Sequence, residues 1–197
     1  QRAISAPRLE AVANPPVQIA VPYVSDALRT LCAGGNSRVL LLVEKDLVSD
    51  LRTKLDRFAS DLCADGYTTL EKDSTFTTAG AVRTFLADVY NDSGATLKGA
   101  ILLGNLPHAY QWVHLTSFNP DNPSTSEEVI SFQYYADLDG FFSKSAGYAS
   151  PNRHPYSYDV HAGKYDWEIW IGVLPTYKAR RADTIDGVKR YFDKNHN

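Results

Sequence analysis

Two aspartates beside a glycine form the segment of this sequence that most suggests chemistry. Asp137 and Asp139 lie two residues apart in QYYADLDGFF, residues 133–142. Carboxylates at this spacing can place oxygen ligands around one calcium ion from an extended turn. A complete calcium loop needs further oxygens and a distal Glu, which DLDGFFSKSAGY does not provide. The alternative is an Asp-Gly turn in which Asp139 bonds its own backbone, and the pattern leaves both interpretations open.

Glu168 is the second acidic residue that could take part in chemistry. It lies in WEIWIGV, residues 167–173, a segment of strand length that is otherwise apolar. In a parallel sheet this position is the amino end of the strand. A carboxylate there can pair with a basic group, accept backbone N–H bonds or orient a histidine, and the sequence leaves these roles open.

The two cysteines do not suggest a nucleophile. A catalytic thiolate needs a base within reach and surroundings that favour its charge. Cys32 precedes the first predicted strand and Cys63 ends the helix that follows it, so both are expected on the amino side of the sheet. That placement favours a disulfide, or two neighbouring buried thiols, over catalysis.

Two histidines lie in a segment that is dense in Tyr, Pro, Asn and Asp. His154 and His161 both fall in this stretch, which begins at Pro151 and ends at Gly163. We interpret the stretch as a surface loop packed by its own tyrosines, in preference to a catalytic loop.

Composition and missing motifs argue against several classes of function. The 197 residues carry a net charge of −3 and no basic stripe, so we expect no nucleic-acid partner. The longest apolar runs are far too short for a membrane span. The sequence contains no glycine-rich phosphate motif and no zinc-ligand spacing, so we expect neither nucleotide nor structural zinc.

Alternating strands and helices must position the candidate residues. The predicted elements are a helix at 25–32, a strand at 38–44, a helix at 46–64, a strand at 67–71, a helix at 78–90 capped by Thr77 or Thr78, a strand at 98–103, a strand at 167–173 and a helix at 184–194 capped by Asp183. This order predicts βαβ units with right-handed crossovers. The predicted fold is therefore a three-layer α/β/α arrangement with a mainly parallel sheet of about four strands.

A long loop region after the third strand is the expected place for function. Residues 104–166 show no regular pattern, and loops of this length usually carry a site. The region also begins at the carboxyl end of a parallel strand, where open α/β sheets place their ligands. Residues 1–24 are polar and proline-bearing and are predicted to be an arm or linker, whereas 25–197 form one domain. Because the chain begins with Gln1 and contains no Met, we expect it to be processed or cut from a longer protein.

Four stretches together resemble the amino-terminal part of the gingipain-type cysteine peptidases, caspase-like α/β proteins of secreted origin. They are RVLLLVE with its following helix through DLCADGY, then GAILLGNLPHAYQW, then QYYADLDGFF, and finally HAGKYDWEIWIGVLP followed by VKRYFDKNH. The resemblance runs from about Arg38 to the end of the chain. Its most specific parts are YYADLDG and EIWIG.

The resemblance implies a role for Glu168. In this family the nucleophilic Cys and its His lie in a later subdomain, so a C-terminal catalytic segment or a second chain would supply them. The acidic residue of the family's EIW(V/I)GR stretch falls on Glu168, which makes it the catalytic candidate, a carboxylate that orients the histidine. The resemblance further implies a protein or peptide substrate and a secreted or cell-surface location.

Departures from the family favour an alternative. The chain has Asn105 where the family often has Asp, Val173 where it often has Arg, and few acidic residues in the loop after DLDG. In the family that loop is rich in Asp and Asn, which suggests calcium, so its few acidic residues here weaken the case for calcium as a cofactor. The alternative is a catalytically inactive, peptidase-like binding module that uses the Tyr-rich loop at residues 132–166. A complete small α/β domain that binds a sugar or peptide through its aromatic loop is a third hypothesis.

Overall fold

The structure is a computed structural model that describes residues 28–116, 124–145, 154–174 and 181–196. Its strands are β1 (Arg29–Ala33), β2 (Ser37–Glu44), β3 (Tyr67–Ser74), β4 (Leu97–Leu103), β5 (Tyr110–Thr116), β6 (Ser124–Ile130), β7 (Phe141–Ser143), β8 (Ser157–Tyr158), β9 (Val160–Ala162) and β10 (Trp170–Leu174). Its helices are α1 (Lys45–Ala64), α2 (Ala79–Asp92), α3 (Gln133–Ala136) and α4 (Arg181–His196). The predicted arm at residues 1–24 lies outside the described residues.

A five-stranded mixed sheet forms the centre of the fold, with the strand order β1-β3-β2-β4-β10. Strands β3, β2, β4 and β10 run parallel to one another, and β1 at the edge runs antiparallel to β3. The predicted α/β class is confirmed. A mainly parallel sheet was predicted, and this is wrong: the sheet is mixed, because β1 adds an antiparallel edge that the sequence pattern did not indicate.

The short helix predicted at residues 25–32 is wrong where the structure describes it. Arg29–Ala33 forms strand β1, because pairing with β3 provides backbone hydrogen bonds that periodicity in so short a segment cannot foresee. Cys32 of β1 forms a disulfide with Cys63 near the end of α1. Of the two alternatives left open for the cysteines, the structure therefore has the disulfide.

Strand β2 lies at the middle of the core and is buried on both faces. Leu40 and Leu42 belong to a hydrophobic cluster that includes α2, whereas Leu41 and Val43 belong to a second cluster that includes α1 and α4. Successive side chains of a strand point to opposite faces, so a continuous apolar run is what such a position requires. The cap of α2 is also as predicted, since the side chain of Thr78 accepts the Ala81 N–H.

The region between β4 and β10 contains regular structure that was not predicted. It holds a three-stranded sheet in the order β6-β5-β8 and the two-stranded pair β7-β9. Strands β7, β8 and β9 have only two or three residues each, too few for a local pattern to reveal them. Strands β5 and β6 have seven residues each and pair with each other, but their sequences lack the strict alternation of apolar and polar residues that predicts a strand. Asp183, predicted to cap the last helix, lies inside the first turn of α4. Among the described residues, no helix has the length and apolar character needed to cross a membrane.

Candidate functional site

The acidic residues singled out in two separate segments meet at one place. Asp137, Asp139 and Glu168 each offer a carboxylate oxygen, and these oxygens lie within 4.8 Å of one another. The two segments are tied together by the Ile169 N–H, which donates to the carbonyl of Ala136 at 3.3 Å. Because β10 begins at Trp170, the site lies at the amino end of this strand. The predicted placement of Glu168 relative to the strand agrees with this position.

The buried carboxylate of Asp137 stabilises the turn at residues 137–140. Its side chain is 0% exposed. Oδ1 accepts the Gly140 N–H and Oδ2 accepts Nε2–H of His161, both at 2.6 Å. A Cβ at position 140 would overlap this carboxylate, so the turn requires glycine there. The Asp-Gly turn considered from the sequence is therefore present, but Asp137 stabilises it and not Asp139, which is exposed.

Arg83 of α2 holds the same turn from the backbone side. Its Nη2 donates to the carbonyls of Asp137 at 2.9 Å, Leu138 at 3.1 Å and Gly140 at 2.6 Å. The guanidinium also lies 5.0 Å from the ring centre of Phe142, within the range of a cation–π contact. No sequence motif indicated this residue, because it is separated from the turn by more than fifty positions.

Glu168 shows one of the roles that the sequence left open. Its Oε2 accepts the Leu138 N–H at 2.6 Å, and the side chain is half-buried. The carboxylate is thus held in place by the backbone of the turn. With Arg83 on the carbonyls and Asp137 on Gly140, the turn is fixed by three side chains from three parts of the chain.

His161 belongs to the site, contrary to its interpretation as part of a surface loop. Its side chain is 6% exposed and lies between the rings of Phe142, at 4.8 Å, and Tyr165, at 4.5 Å. Nδ1 is buried and has no hydrogen-bond partner in the described part of the chain. A buried imidazole already bonded to Asp137 is suited to structural support and not to substrate contact. His154, in contrast, is exposed and stacks on Tyr110 at 3.8 Å.

An aromatic cluster covers the site on the side of β7 and β8. The ring of Phe142 lies 5.0 Å from Tyr134 and 4.8 Å from Tyr158. Burial raises the pKa of Tyr134, an effect that nearby Arg83 opposes, and burial also raises the pKa of Tyr158. A shallow cavity of about 170 Å³ lies beside these rings and is also lined by Tyr156.

The carboxylates fit a hard cation in type, but their oxygens are already engaged. Calcium prefers carboxylate and carbonyl oxygens, as this cluster offers. Both oxygens of Asp137 and one of Glu168 accept hydrogen bonds, and Arg83 occupies three carbonyls of the turn. A cation would share these oxygens and would lie near a guanidinium. Exposed Asp139 is the ligand most open to solvent.

The disulfide lies away from this cluster, because β1 and β10 are opposite edges of the sheet. Both cysteines of the sequence form this disulfide, so the chain has no free thiol.

No family model, no curated protein and no solved structure matches this chain. The resemblance to gingipain-type peptidases therefore stays a prediction from the residues that carry it.

Proposed function

We propose that this chain is the non-nucleophilic, sheet-bearing part of a secreted gingipain-like cysteine peptidase that acts on proteins or peptides. The observation that carries the proposal is the carboxylate of Glu168, half-buried and held by the Leu138 N–H at a partly exposed acidic site. The disulfide between Cys32 and Cys63 agrees with a nucleophile supplied elsewhere and with an oxidising compartment. Helix α2 on one sheet face and α1 with α4 on the other support the three-layer arrangement that such a domain needs.

In this proposal the chemistry is acyl transfer to a thiolate. The thiolate from another segment or chain attacks the scissile carbonyl, and an imidazole from that segment donates a proton to the leaving amine. Glu168 accepts the other N–H of this imidazole, fixing its tautomer and stabilising its charged form. The hydrogen bond from the Leu138 N–H restrains the carboxylate of Glu168 before the imidazole binds. The carboxylate therefore loses less conformational freedom when the transition state forms.

The test is Glu168→Gln in the complete protein. Gln retains an oxygen that can accept the Leu138 N–H, so the turn should stay intact while the charge is lost. We expect kcat to fall by about 10²–10⁴-fold with KM little changed, as for removal of the carboxylate in a catalytic triad. Glu127→Gln, at an exposed position of β6, is the matched control. Unchanged turnover in Glu168→Gln would remove this residue from the mechanism.

A binding module is the second candidate, and the aromatic cavity favours it. The cavity of about 170 Å³ beside Tyr134, Phe142, Tyr156 and Tyr158 is below the usual size of a small-molecule site and suits a single side chain of a partner. A thiol-directed activity probe on the complete protein distinguishes the two candidates. Labelling supports the peptidase. No labelling, together with peptide binding that is lost in Tyr156→Ala, supports the module.

Calcium held by the carboxylates of Asp137 and Asp139 is the cofactor we propose, which leaves the second oxygen of Glu168 to the imidazole in the peptidase. A ligand that binds only the folded state raises stability by about 2.7 kcal/mol at one hundred times its Kd. We therefore expect CaCl2 to raise the thermal midpoint of the wild type, and expect a smaller rise in Asp139→Asn, because that change removes the most exposed ligand. MgCl2 at equal ionic strength is the control for screening. Equal shifts with both salts would exclude a specific calcium site.

A further inference from the structure

Helix α2 and Tyr134 of α3 line a cavity that is separate from the carboxylate cluster. Its volume is about 280 Å³, close to the lower limit of small-molecule sites. The lining residues of α2 are spaced three or four positions apart and therefore share one face of the helix. They are Gly80, Arg83, Thr84, Ala87 and Asp88.

Glycine at position 80 leaves room for this cavity. A Cβ there would lie 3.4 Å from Cε1 of Tyr156 and 3.9 Å from the hydroxyl of Tyr134. A larger side chain would therefore enter the space between α2 and the two tyrosines.

The cavity contains polar groups that the protein does not pair. They are the carboxylate of Asp88, the hydroxyls of Thr84 and Tyr134, and Nη1 of Arg83. None of them makes a hydrogen bond or an ion pair within the described part of the chain. Burial raises the pKa of Asp88, and the charge of Asp92 adds to this effect. Polar groups that converge on a cavity without protein partners are typical of a ligand site.

The charges of the lining favour a neutral ligand. An anion would be repelled by Asp88, and a cation would be repelled by Arg83. The guanidinium needs no anionic ligand, because Nη2 donates to three carbonyls of the turn and the group lies 5.3 Å from the ring centre of Tyr134. The cavity therefore offers hydrogen-bond donors and acceptors in one small space, beside an aromatic ring.

We propose that this cavity binds a neutral sugar ring. Each sugar hydroxyl both donates and accepts, so one can donate to Asp88 while another accepts from Nη1 of Arg83. The hydroxyls of Thr84 and Tyr134 can act in either sense. The C–H groups of the sugar can pack against the ring of Tyr134, whose face carries partial negative charge. This inference does not depend on the proposed peptidase function.

The test is a titration of the full chain, followed by the amide signals of α2 in NMR spectra. The probes are the methyl glycosides of glucose, galactose, mannose, xylose and N-acetylglucosamine, each added to about 50 mM. We expect at least one of them to shift the signals of Gly80, Thr84 and Asp88 saturably, with a Kd of about 1–10 mM. Absence of a saturable shift with every glycoside would overturn the proposal. Shifts caused by free alanine, a zwitterion, and by no glycoside would overturn the choice of a neutral ligand.

Two variants and a control locate the binding. Asp88→Ala should raise the Kd at least about tenfold, because it removes a charged hydrogen-bond acceptor. Gly80→Ala should also weaken binding, because its Cβ enters the cavity without removing a polar group. Asp92→Ala, one helical turn beyond Asp88 and outside the lining, is the matched control and should change the Kd by less than about twofold. Alanine favours helix, so all three variants should fold. Equal changes in Asp88→Ala and Asp92→Ala would overturn the proposed site.

Discussion

The two edges of the central sheet are built in different ways. Strand β1 is antiparallel to β3, has an irregular register between Thr30 and Cys32, carries Arg29 and is joined to α1 by the disulfide. Strand β10 is parallel to β4, regular in register and uncharged. The first edge is closed by covalent and ionic contacts, whereas the second combines backbone pairing with β4, apolar packing and, at its amino end, the hydrogen bond from the Ile169 N–H to the Ala136 carbonyl. The comparison shows that one sheet can be fixed at one edge by side-chain contacts and at the other by backbone and apolar contacts.

The ionic contacts of β1 converge on one buried carboxylate. Glu71 of β3 is 1% exposed and accepts hydrogen bonds from two nitrogens of Arg52, each at 2.8 Å, and from Arg29. The hydrogen bond to Glu71 is the main factor that raises the pKa of Arg52 above its ordinary value. A buried charge of this kind is tolerated only when paired, so β1 helps to complete the environment of Glu71.

The largest expected effect comes from removing the disulfide. Cys32→Ser together with Cys63→Ser should lower the free energy of unfolding by about 3–4 kcal/mol, because a cross-link spanning 31 residues restricts the unfolded chain. Urea unfolding of wild type and variant under oxidising conditions measures it. Dithiothreitol should destabilise the wild type by the same amount and leave the variant unchanged. A loss below about 1 kcal/mol would contradict this account and show that the cross-link contributes little to stability.

The second effect comes from the buried carboxylate. Glu71→Gln should lower the free energy of unfolding by about 3 kcal/mol, because Arg52 loses the negative charge that compensates its own. Glu127→Gln, on an exposed strand position, should change stability by less than about 0.5 kcal/mol. Urea unfolding of both variants gives the comparison. Similar values for the two would show that the ion pair at β1 contributes little.

The smallest effect belongs to the β10 edge. Gly99→Ala should cost about 1–2 kcal/mol, because its Cβ would overlap the ring of Trp170, which must move toward solvent. Tryptophan fluorescence should shift to longer wavelength as the ring becomes more exposed. Gly187→Ala in α4 is the matched control and should gain about 0.5–1 kcal/mol through helix propensity. An unshifted spectrum in Gly99→Ala would show that Trp170 does not depend on β4.

The parts of the fold that were predictable are those with a long local pattern. The apolar run of β2 and the three-to-four-residue spacing of α1 each specify a conformation and a buried face without help from distant residues. Strand β1 was mistaken for a helix because five residues carry too little periodicity, and its pairing with β3 decides the outcome. The candidate site was half predictable, since the three carboxylates stand out by type and position.

The sequence by itself determined the order of the main strands and helices, the α/β class and which carboxylates could do chemistry. Only the tertiary structure decided that Glu168 meets the Asp137 turn, that Arg83 holds its carbonyls and that His161 is buried against it. The physical reason is the separation along the chain. A local pattern specifies which face of an element is apolar, but a contact across 24 to 54 residues depends on how the elements pack.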